Sequence, residues 1–70
     1  MEITPQTVRS VIEKRFRFAQ LPMTGTMAEF DLKPNDLLQL QILFNQTFNR
    51  YVEVKHSDSV YSLTDKLIAV

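Results

Sequence analysis

Apolar residues recur at helical spacing in two stretches of the chain and scatter without a period in the segment between them. In the first stretch Val8, Val11, Ile12 and Phe16 share one face, while Arg9, Glu13, Lys14 and Arg17 take the others. Thr4 followed by Pro5 marks its start, because threonine accepts from the orphan amides of a first turn and proline is tolerated at the first helical position. A helix from about Pro5 to Phe16 or Phe18 is predicted. In the second stretch Leu37, Leu40, Phe44, Phe48 and Tyr51 form a stripe flanked by Leu38, Ile42 and Leu43. Asn35 is a suitable N-cap and Asp36 puts a carboxylate where the helix dipole favours it, so a second helix is predicted from about Asp36 to Asn49.

The segment from Gln20 to Pro34 is punctuated by Pro22, Gly25 and Pro34, and reads as a long connection. Leu21, Met23, Met27, Phe30 and Leu32 make it too apolar to stand free, so it should lie across the bundle and plug one end of the core. After the second helix, Val52-Glu53-Val54 reads as a short extended piece. A single turn is predicted at Ser57–Tyr61. A last helix then opens with Ser62 as cap and Asp65 reaching back to it, with Leu63, Leu67 and Val70 pointing inward. The expected fold is all-α, a small three- or four-helix bundle forming a single domain over residues 1–70.

Composition narrows the chemistry. A domain of 70 residues has a marginal core. It contains no cysteine, which excludes disulfides, thiolate nucleophiles and cysteine-based metal sites and fits a cytoplasmic address. The N-terminal residues show no basic region followed by an apolar run, and no apolar stretch approaches bilayer length, so neither a signal peptide nor a membrane span is expected. Eight acidic and eight basic side chains give zero formal charge, which offers no electrostatic pull toward nucleic acid or anionic lipid.

Residues Asp31-Leu32-Lys33-Pro34-Asn35-Asp36-Leu37 resemble the approach to the second helix of acyl carrier proteins, which usually reads Asp-Leu-Gly-x-Asp-Ser-Leu. Phe48 resembles the phenylalanine that closes that helix, and Ser57 through Leu67, with Val60, Leu63 and Asp65, resembles the run to the last one. Weak similarity spans most of the chain. It implies a carrier-like bundle: a long loop after helix one, near-antiparallel helices one and two, and a short transverse turn near Ser57–Tyr61. The family carries 4′-phosphopantetheine on the serine of its motif, and Asp36 stands there. A carboxylate cannot hold that arm, because its phosphoryl ester would be a labile mixed anhydride. Asp36 to Phe48 is slightly shorter than the family's usual spacing, but placing the attachment point at Pro34 instead supplies no serine either. No cofactor is therefore expected.

The family docks partners through an acidic second helix. Here that face offers Gln39, Gln41, Asn45, Gln46 and Asn49, with Arg50 at its end, and amides bond without steering by charge. Asp36, Gln39, Leu43, Gln46 and Arg50 are the candidate partner-binding residues, assisted by the 20–34 loop, in a monomeric, non-catalytic module. An unrelated helical adaptor or regulatory domain is the alternative.

Two further clusters hold residue types suited to binding or chemistry. Lys14-Arg15-Phe16-Arg17-Phe18 interleaves cations and rings as nucleic-acid binders do, yet it also reads as a helix end whose cations suit the dipole. A small DNA-binding protein is therefore a lesser expectation. His56-Ser57-Asp58-Ser59 has the residue types of a hydrolytic triad, and Glu53 with His56 has a metal-pair spacing. Consecutive turn residues point apart, and further ligands are missing nearby. No catalysis and no metal are expected, and His56 should be an exposed loop residue.

Overall fold

The computed structural model describes residues 2–70, which form three helices: α1 (Pro5–Phe16), α2 (Pro34–Phe48) and α3 (Val60–Ala69). Among the described residues there is no strand, only an isolated bridge between Thr26 and Ser59. No helix is long and apolar enough to cross a membrane.

Helix α1 begins where the Thr-Pro pair dictates. The Thr4 hydroxyl accepts from the Thr7 amide at 3.2 Å, and the Thr7 hydroxyl accepts from the Thr4 amide at 3.0 Å. Arg17 ends the helix in the left-handed region with φ 60°. The Phe18 amide donates back to Glu13 O at 3.1 Å.

Helix α2 starts two residues earlier than its sequence suggests, and Asn35 is not its cap. Pro34 takes the first helical position and Lys33 stands before it in extended backbone. An ammonium group has no lone pair to offer an amide, so Lys33 caps nothing. The first turn is closed instead by the Asp36 carboxylate, which accepts from the Lys33 amide at 2.9 Å. At the other end Asn49 adopts φ 58°, a conformation asparagine tolerates. That reversal explains why Tyr51 leaves the apolar stripe: past Asn49 the helical register is lost, and Tyr51 is exposed.

Helix α3 takes in Val60 and Tyr61 from the turn expected at Ser57–Tyr61. Ser59, not Ser62, is the N-cap, its hydroxyl accepting from the Ser62 amide at 3.2 Å. Asp65 is exposed and closes no capping box. The reason is burial: Val60, Leu63 and Leu67 are all fully inaccessible, so the apolar stripe begins a turn earlier than expected. Val70, expected inside, is exposed at the C-cap.

Phe44 sits at the centre of the core with Ile12, Met27, Leu40, Leu63 and Leu67, all fully buried. The long connection contributes Leu21, Met27 and Leu32 to this core, as its apolar content requires. Backbone bonds strap it to the segment before α3: the Met27 amide donates to Asp58 O and the Ala28 amide to His56 O, each at 2.9 Å. Gly25 allows a close approach there. A β-carbon at that position would lie 2.8 Å from the Phe30 ring unless that ring shifted, and the ring packs at a tilt of 48° against Phe18 with ring centres 6.0 Å apart.

Candidate functional site

The five residues singled out on or beside α2 stand in different environments. Asp36, half-buried in the first turn, spends a carboxylate oxygen on the Lys33 amide. Residues 33–36 read Lys-Pro-Asn-Asp, so this junction presents no hydroxyl. Arg50 lies beyond the helix and turns toward α3, where its Nη1 donates to Leu67 O at 2.8 Å and Ile68 O at 3.2 Å. It serves as a C-terminal tie for α3, whose last carbonyls have no helical partners.

Gln39, Leu43 and Gln46 share one flank of α2, facing α1. The Gln39 side-chain oxygen accepts from Arg15 Nη2. Leu43 is half-buried and packs against the core, and Gln46 is exposed. These three residues line a hollow of about 220 Å³ together with Arg15 and Ile42. A second hollow of about 330 Å³, lined by Val11, Lys14, Arg15, Leu43 and Thr47, adjoins it. Because Arg15 and Leu43 belong to both, the two form one groove between α1 and α2.

Gln41 does not belong to the solvent face where its amide suggests it should be. It is buried; its Oε1 accepts from the Val54 amide at 3.0 Å and its Nε2 donates to the Tyr51 hydroxyl at 2.6 Å. The spacing itself carried the signal, since position 41 lies four after Leu37 and three before Phe44, on the buried stripe. The same spacing puts Leu38 and Ile42 outside it, and they are 55% and 54% exposed. These two aliphatics, read from the sequence only as flanks of the core, are an exposed apolar feature of α2.

The His56–Ser59 run makes a structural turn. Asp58 is buried; its carboxylate accepts from the Lys55 amide at 2.9 Å and from Lys66 Nζ at 2.6 Å. Ser59 caps α3, and the exposed His56 lies with Nε2 3.0 Å from Leu32 O. Ser59 and Asp58 are thus engaged in the turn and in the start of α3. Among the described residues, no group of three or more His, Asp or Glu side chains could hold a metal ion. In the basic-aromatic run, Phe16 and Phe18 pack against the core, whereas Lys14, Arg15 and Arg17 are exposed at the end of α1.

No family model, curated protein or solved structure matches the chain.

Proposed function

We propose that this chain is a carrier-like helical module without a covalent arm, which docks a protein partner in the cytoplasm and performs no chemistry itself. The observation that carries this reading is the junction at the start of α2. The long connection delivers the chain to a half-exposed first turn, which the sequence resemblance aligns with the serine of acyl carriers. Here that turn ends in a carboxylate committed to the Lys33 amide. The residues of this junction do not fit phosphopantetheine, since none can form a stable phosphodiester. What remains is the docking half of carrier function, for which the α2 face with Gln39, Leu43 and Gln46 and the connecting loop are available. The setting implied by the resemblance is fatty-acid, polyketide or peptide-type assembly.

The second reading, a helical adaptor unrelated to carriers, has one observation in its favour. Residues 57–61 form no separate transverse element, because α3 begins at Val60 directly after its cap.

Incubation with coenzyme A and a promiscuous phosphopantetheinyl transferase, followed by intact mass, tests the armless reading. No gain in mass is expected. A stoichiometric adduct on Ser10, Ser57, Ser59 or Ser62 would refute it. Repeating the reaction on Asp36→Ser tests the ancestry: modification confined to that variant supports a carrier origin, and its absence favours the adaptor.

A further inference from the structure

Charge is not spread evenly over this neutral chain. Arg9 lies 3.9 Å from Glu13, Lys33 lies 3.7 Å from Asp31, Lys55 lies 3.7 Å from Glu53, and Lys66 is bonded to Asp58. Arg50 is held by two carbonyls of α3. Lys14, Arg15 and Arg17, consecutive but for Phe16, have no carboxylate within ion-pair distance among the described residues. Arg15 bonds only the neutral amide of Gln39 and lies 5.2 Å from the centre of the Phe16 ring. Along the groove the facing helix adds no carboxylate, since residues 37–49 contain no ionisable side chain, and its one acid, Asp36 in the first turn, accepts from the Lys33 amide.

Lys14 and Arg15 form one rim of the groove between α1 and α2, Gln39 and Gln46 the other, and Val11, Leu43 and the exposed Ile42 supply its apolar surface. From Gln39 to Thr47 the groove follows α2 for about 12 Å, enough for aliphatic anchors two turns apart on a partner helix. We infer that this groove receives an acidic amphipathic helix of a partner protein, its aliphatic face on Leu43 and Ile42 and its carboxylates toward Lys14 and Arg15. Charge complementarity selects this occupant. A second copy of the chain would bring the same uncompensated cations to the contact, and nucleic acid would leave the apolar surface without a counterpart. The inference rests on the proposal that α2 docks a protein, and adds the chemistry of what docks.

A displayed library of helical peptides of about 16 residues, long enough to hold helical structure, tests it when selected on the full chain. Enriched peptides should carry aliphatic residues at i, i+3 or i+4, and i+7, flanked by Asp and Glu. Their binding should weaken as salt rises, and fall about tenfold with Lys14→Glu plus Arg15→Glu and comparably with Ile42→Ser. Lys55→Glu, on a different face, should leave it unchanged. Circular dichroism checks that the variants fold; should the double variant unfold, the salt titration of the parent carries the charge test. Peptides that are basic or uncharged but shift α2 amide resonances would sink the acidic partner alone. No enrichment, or binding that leaves those resonances in place, would sink the docking proposal with it. An RNA oligonucleotide bound with the same sensitivity to these variants, or a dimer dissociated by Ile42→Ser, would replace the acidic helix by that occupant.

Discussion

The two flanks of α2 are built in opposite ways. Toward residues 52–58 and α3, polar side chains are spent inside the molecule: Gln41 serves Val54 and Tyr51, Asp58 serves Lys55 and Lys66, and Arg50 serves the end of α3. Toward α1, a single polar side-chain bond crosses between the helices among the described residues, from Arg15 to Gln39. Aliphatic side chains and uncompensated cations lie exposed beside it. A flank whose donors and acceptors are paired internally holds the fold together. One that leaves apolar surface and charge in water has capacity left for something else.

Substitutions at the heart of the molecule set the upper bound for this contrast. Phe44 is fully buried beneath both flanks, and Phe44→Ala should cost about 3–5 kcal/mol by removing contacts and leaving a cavity. A domain this small has little more than that in reserve, so loss of the cooperative urea transition is expected. A parent-like midpoint would mean that the stripe is not the core.

The paired flank should respond next. Asp58→Ala strips the Lys55 amide and Lys66 of their acceptor in a buried turn, at about 2–3 kcal/mol. Lys66 keeps the Glu53 carbonyl at 3.0 Å, but the Lys55 amide loses its acceptor and the turn to which Met27 is strapped loosens, so hydrogen exchange at the Met27 amide should quicken along with the fall in urea midpoint. Gln41→Leu keeps volume but orphans the buried Val54 amide, at about 1–3 kcal/mol. If the leucine variant is as stable as the parent, the 51–54 segment is not held by that side chain, and the paired flank loses its centrepiece.

These responses also mark what the sequence could convey. The Thr-Pro start of α1, the Leu37–Phe48 stripe and the apolar content of the long connection were legible because each follows from local chemistry or helical spacing. At Gln41 residue type and spacing conflict: an amide suggests water, and only Val54 and Tyr51, presented from beyond the helix end, make burial favourable. The sequence points to a cap of α3 three residues late for a related reason. Ser59 and Ser62 are equally good caps locally, and burial of Val60 against distant residues chooses between them. Of the candidate docking residues, Gln39, Leu43 and Gln46 gather on one groove as the helical face predicts. Arg50 goes elsewhere because the carbonyls of α3, remote in sequence, draw it. The rim formed by Lys14 and Arg15 could not be assigned to this groove until α1 and α2 were side by side.

The smallest expected effects are on the open flank, and they bear most directly on the contrast. Ile42 is more than half exposed, so Ile42→Ser removes little buried apolar surface, and a change in stability within about 0.5 kcal/mol is expected. Gln39→Ala removes the acceptor of an exposed guanidinium that water can satisfy at once, and should fall in the same range. Both are read from urea midpoints at constant slope. The comparison turns on the sum. If the two substitutions together cost as much as Gln41→Leu, the flank facing α1 supports the fold just as the other does, and its exposed aliphatics need no partner to explain them. If they cost almost nothing, stability does not account for Ile42 in water beside an uncompensated cluster of cations, and binding remains the physical reason for it.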